Sequence, residues 1–339
     1  MKHLHHWAGL FALAASAACA QTPPDVGTAA LPLSIALVGD LPYSSAQLPQ
    51  FDALVDHINA DRSVRLVLHV GDVKGGGERC DDALLQQRQA QIQRVRTAVV
   101  YTPGDNDWTD CHRPNNGSYL PTERLSFLRQ LFFPKPGLSG GQRPIRVETQ
   151  SRQPGYADFV EHQLFVRSNV VFAALHVVGS ANNLAPWTGY DASDSTAAPR
   201  ADRIAEVEAR RAATLAWIDR AFEEAASRQA AGVVLFWQAN PGIDKLAGDP
   251  LRTGFEEVLA RVKERSLAFA RPVLLLHGDN HELIVDQPLV RDAEPAPKVP
   301  KFQRVQGIGS PRMHWVKIDI DPRSPALFSI TPQWVPGNP

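Results

Sequence analysis

Four aspartates each follow a glycine at the end of an apolar run: Gly39-Asp40, Gly71-Asp72, Gly104-Asp105 and Gly278-Asp279, the last continuing into Asn280 and His281. One such pair is weak evidence, because Asp is a common turn former and helix N-cap. Four pairs built alike form a set. Carboxylates brought together raise each other's pKa unless a cation sits between them, so a shared site for all four implies a hard metal. His281 adds a nitrogen donor on the last loop, whereas His277, at the end of the preceding strand, reads as a packed histidine. Two ions bridged by one carboxylate can orient hydroxide for in-line attack on phosphorus and absorb charge on the departing oxygens.

The elements that must position these loops are short apolar runs at 33–38, 65–70, 96–101, 232–237 and 272–277, each ending in a polar loop. Helix-compatible spacing of apolar residues falls between them, at 47–59, 81–94, 121–131, 201–228 and 251–268. Strands alternating with helices predict an α/β architecture, and polar groups gather where such strands end. The stretches 156–178 and 304–320 read as strand pairs with no helix between, which adds an antiparallel component. The expected fold is therefore a sandwich of sheets covered by helices. Stretches 135–154 and 286–300, rich in Pro, Gly and charge, read as surface loops. Strand ends spread along the chain serve one site, so 21–339 reads as a single domain with its core at about 33–320.

With 339 residues, 44% hydrophobic and 21% charged, the chain can bury a full core. A net charge of −1 gives no basic field to gather nucleic acid or an anionic membrane, so an anionic substrate must be held locally. Lys2, the apolar stretch 7–17 and Ala18-Cys19-Ala20 read as a signal peptide over residues 1–20, and no later segment predicts a membrane span. Export to the periplasm or outside the cell is expected. Lipid anchoring at Cys19 is less favoured, since Ser16 stands where a larger aliphatic residue is usual. Removing the leader leaves Cys80 and Cys111, each shortly after a Gly-Asp loop; one disulfide is the simplest pairing, two buried thiols the alternative.

The ordered series Gly39-Asp40, Gly71-Asp72, Gly104-Asp105-Asn106-Asp107 and Gly278-Asp279-Asn280-His281 resembles the calcineurin-like metallophosphoesterase superfamily, over roughly residues 33–320. That family's signature is D-x-H, G-D-x-x, G-N-H-[DE], a lone His after a strand, and G-H-x-H. The resemblance implies two mixed β-sheets flanked by helices, with a dinuclear site that hydrolyses phosphate esters or anhydrides. It places the first ion on Asp40, Asp72 and His281, and the second on Asp72, Asp105, Gln238 and Asp279, with Asp72 as the bridge. Departures are large: Pro42, Asp105, Asn106, Gln238 and Asp279 stand where the family has His, Asn, His, His and His, with Asn240 a second choice for the lone His. Exchanging imidazole for carboxylate favours Mn, Mg or Ca over Zn, with Fe also admissible. Asn106 binds a phosphoryl oxygen but cannot deliver a proton. The resemblance implies that Asp107 orients it, against the plainer reading of a surface cap.

Lys74 and Arg113 are candidates to contact substrate phosphate, against the plainer reading of solvated charge. Tyr43 and Trp108 flank the loops as aromatic walls or packing, Asn182-Asn183 read as polar contacts or a turn, and Asn116-Gly-Ser118 is a glycosylation sequon. Three functions compete: an exported metal-dependent phosphoesterase acting on a small phosphorylated substrate, a binding module that has lost turnover, and a secreted domain with structural Ca²⁺. The last is disfavoured, because structural calcium loops draw their ligands from one continuous segment.

Overall fold

The computed structural model describes residues 31–289 and 298–339; the expected leader, Cys19 and residues 290–297 of the expected second loop lie outside them. Strands run in the order β1 (Leu33–Val38), β2 (Val64–His69), β3 (Ala98–Tyr101), β4 (Gly140–Gly141), β5 (Glu148–Thr149), β6 (Gln163–Arg167) and β7 (Val170–Ala174). They continue with β8 (Gly232–Phe236), β9 (Val273–His277), β10 (Ile284–Asp286), β11 (Phe302–Gln306), β12 (Trp315–Ile320) and β13 (Phe328–Gln333). Helices are α1 (Leu48–Ala60), α2 (Asp82–Ile92), α3 (Pro121–Phe132), α4 (Ala201–Ser227) and α5 (Glu256–Phe269).

Two mixed sheets result, ordered β13-β12-β1-β2-β3-β4 and β10-β11-β9-β8-β7-β6-β5. β1, β2 and β3 are parallel, as are β7, β8, β9 and β11; coverage of both faces explains the near-continuous apolar runs of all but β11, which carries Gln303, Arg304 and Gln306. Alternate residues split between layers. Ile35, Leu37, Leu68 and Val100 face Phe172, Phe236, Leu276 and Val305 between the sheets. Ala36, Val38 and Val67 face outward onto Phe51, Leu54, Val55 and Ile58 of α1, spaced three and four apart. On the far side Trp217, Ile218, Ala221, Phe222 and Ala225 of α4 cover Val171, Val233 and Leu235. The layers are helix, sheet, sheet, helix, each fully buried large apolar side chain contributing roughly 1.5–3 kcal/mol.

Residues 163–174 form the expected hairpin, turned by Ser168 and Asn169, both at positive φ as a two-residue primed turn requires. The stretch 304–320 does not. β11 pairs with β9 and β12 with β1, so the two strands belong to different sheets and the chain between them crosses the sandwich. Apolar periodicity marks a strand but not its partner. α5 begins at Glu256 rather than near Leu251, because Asp249 caps a separate short 3-10 turn, Pro250–Arg252, and Gly254 at φ +85° interrupts the backbone. The expected loop 135–154 carries the two short strands β4 and β5. Among the described residues no helix is long and apolar enough to cross a membrane.

Candidate functional site

The loops after β1, β2, β3, β8 and β9 meet at one edge of the sandwich. Asp40, Asp72, Asp279 and His281 all stand in the left-handed region, at φ 56°, 53°, 85° and 63°, a conformation held only where surrounding contacts over-determine it. The glycines serve their neighbours' carboxylates: a methyl on Gly104 would collide with Asp72, and one on Gly278 with Asp40. Asp107 ties the loops together. It accepts from the backbone N–H of Asp72 (3.0 Å), Val73 (2.8 Å) and Gly104 (2.8 Å) and from the Tyr101 hydroxyl (2.7 Å), so it orients loops rather than the Asn106 side chain.

Two halves share Asp72. In the first, the backbone N–H of Asp279 donates to both Asp40 oxygens at 3.1 Å. His281 Nδ1 lies 2.7 Å from the Ser310 carbonyl, which only accepts, so Nδ1 carries the proton and the Nε2 lone pair faces inward. The Tyr43 hydroxyl sits among these groups, 2.9 Å from Asp72 Oδ2, 3.4 Å from Asp40 Oδ1 and 3.1 Å from His281 Nε2. One phenolic proton thus faces three acceptors. In the second half, Gln238 Nε2 donates to Asp72 Oδ2 (3.3 Å) and Asp105 Oδ1 (3.1 Å), while its Oε1 accepts from Gly179 N–H at 2.8 Å. Asp279 Oδ2 accepts from the backbone N–H of Asn240 at 2.7 Å.

Burial pushes the carboxyls of Asp40, Asp72, Asp105 and Asp279 above the usual range, and neighbouring acids add to it: Asp279 on Asp40, Asp105 on Asp72, Asp110 on Asp105. Burial also lowers His281, which keeps it neutral, and raises Tyr43. Arg113 is the cation that bears on Asp105, from an ion pair with Asp110 at 2.7 Å.

As they stand, no three His, Cys, Asp or Glu side chains among the described residues are close enough to share one ion. The chemistry of the first half nevertheless fits one: two carboxylate oxygens and one neutral imidazole nitrogen converge on the Tyr43 hydroxyl, a mixed oxygen and nitrogen donor set. The second half does not fit. The Gln238 atom that faces the acids is a nitrogen without a free lone pair, so Gln238 as placed is no metal ligand.

A profile of the family described as calcineurin-like phosphoesterase matches residues 33–282. The chain belongs to that family. None of the curated proteins matches. Among solved structures, "GAP50 the anchor in the inner membrane complex of Plasmodium" is similar over 90% of this chain and 89% of its own, at 9% identity and a TM-score of 0.42.

This phosphoesterase-family chain uses its other expected residues as follows. Asn106 donates from its backbone N–H to Asp72 Oδ1 (3.1 Å) and from Nδ2 to Asp72 Oδ2 (2.8 Å). Its Oδ1 and the Arg113 guanidinium both lie against Gly76, where a Cβ would stand 2.9 Å and 3.9 Å from them. Lys74 is fully buried, its ammonium donating to the Gly75 and Glu78 carbonyls and to Asn116 Oδ1, so it braces the loop and does not reach a substrate. Asn116 is buried by the same contact and by its bond to Gly76, which leaves the sequon no room for a glycan. Trp108, His277, Asn182 and Asn183 are buried; Trp108 donates to His176, and the two asparagines contact Arg210 and Glu206. Cys80 and Cys111 form a disulfide that joins the loops after β2 and β3.

Sequence reasoning missed Ser180 and Asp110, and underrated Tyr43. Residues 180–183 make a left-handed turn, φ 52° to 65°, which costs roughly 1–2 kcal/mol per non-glycine residue. It aims Ser180 Oγ at Asp110 (2.7 Å) and Asp105 (3.3 Å). Nothing local marks such a turn in Gly-Ser-Ala-Asn-Asn beyond the paired asparagines.

Proposed function

We propose that the chain is an exported, metal-dependent phosphoesterase acting on a small phosphorylated substrate. One observation carries the reading: two buried carboxylates, Asp40 and Asp72, and the half-buried His281 Nε2 converge on the Tyr43 hydroxyl, a group of anionic and lone-pair acceptors that a divalent cation would neutralise. Asp40, Asp72 and His281 would hold it, and when bound it supplies an electrophile for phosphoryl oxygens and activates water. The chain's own groups do the rest. Arg113 stands at one rim as a charged donor for phosphoryl oxygens, beside an Asn106 amide whose Nδ2 is turned to Asp72. A cavity of about 400 Å³ beside Asp279, lined by Asn240, Lys245, Asn280 and Arg304, gives room for the esterified group.

A second reading, a binding module without turnover, is favoured by Asn106 itself: its amide, held 2.8 Å from Asp72, has no proton to give a leaving oxygen. The test is to strip the mature chain of metal, restore Mn²⁺, Mg²⁺, Ca²⁺ or Zn²⁺, and assay phosphomonoesters and phosphodiesters beside an Asp72→Asn control. Metal-dependent turnover abolished by that change is the expected result. Thermal stabilisation by metal with no turnover selects the binding module instead.

A further inference from the structure

The two halves of the site differ in how their acceptors are satisfied. Around Tyr43 the phenolic proton faces Asp40 Oδ1, Asp72 Oδ2 and His281 Nε2; the two carboxylates also accept from Asp279 N–H and Asn106 Nδ2, while the imidazole keeps its lone pair toward the hydroxyl. At Gln238 the count closes, since the two N–H bonds of Nε2 meet two acceptors, Asp72 Oδ2 and Asp105 Oδ1. The amide cannot be turned over without loss. Gly179 N–H is a donor only, and it fixes Oε1 at 2.8 Å; reversal would set Oε1 against two carboxylates and Nε2 against an N–H. Gln238 is also fully buried, so no solvent takes up the slack. The Tyr43 oxygen, by contrast, keeps lone pairs and is compatible with a neighbouring cation.

We propose that the site takes a single divalent cation, among Asp40, Asp72 and His281, and that the Gln238 amide holds the Asp72–Asp105 pair together in place of a second ion. This rests on the metal-dependent reading above and departs from the dinuclear arrangement that the family resemblance implies. Gln238 is thereby a positioning residue: it fixes the shared carboxylate of Asp72 from behind, through a neutral hydrogen-bond donor where the family sets an imidazole ligand.

Equilibrium dialysis of the metal-stripped protein against Mn²⁺, with electron paramagnetic resonance of the bound ion, reads the count directly. One Mn²⁺ per chain is expected, with the spectrum of an isolated ion. Gln238→His puts a lone pair where the N–H₂ group stands, and is expected to raise the count to two and couple the spins. His281→Ala is expected to abolish binding, and Asp105→Asn to leave the count at one. Two ions, or a coupled spectrum, from the unaltered chain overturns the proposal while metal dependence survives. No bound ion in the unaltered chain overturns the proposal together with the reading beneath it. Should Gln238→His fail to fold, the count for the unaltered chain decides alone.

Discussion

Two populations of buried charge meet at Trp108. On one side Glu161, fully buried, accepts from Arg129 (2.6 and 3.0 Å) and from His176 Nδ1 (2.8 Å), and His176 Nε2 accepts the Trp108 N–H (3.1 Å). Arg210 pairs with Glu206 at 2.6 Å, and Arg203 with Asp194 at 2.9 Å. Burial pushes Glu161 up, but Arg129 and His176 outweigh it and leave the carboxyl far below its usual range. On the other side Asp40, Asp72 and Asp105 are buried too, with Asp279 part-buried beside them, and there burial and like charge act in the same direction. Depth is common to both; counter-charge is not. A region whose charges are all matched holds the fold together by itself, whereas one left short of positive charge is built for something that arrives.

The largest effect expected is on the matched side. Glu161→Ala strands Arg129 and should lower stability by about 3–5 kcal/mol in urea unfolding, with stabilisation by Mn²⁺ retained. Loss of the Mn²⁺ response in that variant would erase the distinction between the regions. Replacing both Cys80 and Cys111 by Ser opens a bridge spanning 31 positions and should cost about 3–4 kcal/mol in the chain-entropy account, while weakening Mn²⁺ binding, because the bridge joins two site loops.

A pH titration of unfolding sharpens the contrast further. Burial raises the Asp194 carboxyl, but the Arg203 guanidinium and the N–H groups of Trp187 and Arg200 bring it down to about 2 from 3.8. A lowered carboxyl stabilises above its unfolded value, so on the order of 2 kcal/mol is present near neutrality and is lost as pH falls from about 4 to 2. Asp194→Asn should flatten that limb. The smallest effect is on the unmatched side and has the opposite sign: Asp40→Asn should raise the stability of the metal-free chain by on the order of 1 kcal/mol, by removing one repelling charge, and abolish the gain from Mn²⁺. A metal-free Asp40→Asn chain less stable than the original would break the comparison.

The strand ends and helices were legible in the sequence because their signals are local. Apolar runs closed by Gly-Asp marked β1, β2, β3 and β9, and three-and-four spacing marked α1 and α4 within a residue of their ends. The partners of β11 and β12 were not legible, since a strand's apolar positions carry no label for the sheet it joins. Lys74 read as a phosphate contact from its place behind Asp72; only the fold shows Asn116 and two carbonyls closing over its ammonium. Tyr43 read as an aromatic wall or as packing, and it lies at the centre of the first half, its ring edge-on to His281, 238 residues away along the chain.

What the sequence by itself determined is composition at the strand ends: four aspartates and one histidine, with Lys74 and Arg113 the basic residues in the loops of Asp72 and Asp105. That excess of acid over base at the strand ends holds for any fold that brings them together. The tertiary structure alone decided which atom of each side chain faces inward. Gln238 is the sharpest case, for its amide can present oxygen or nitrogen at equal cost in isolation. The backbone N–H of Gly179, 59 residues away, takes the oxygen and leaves the nitrogen for Asp72 and Asp105.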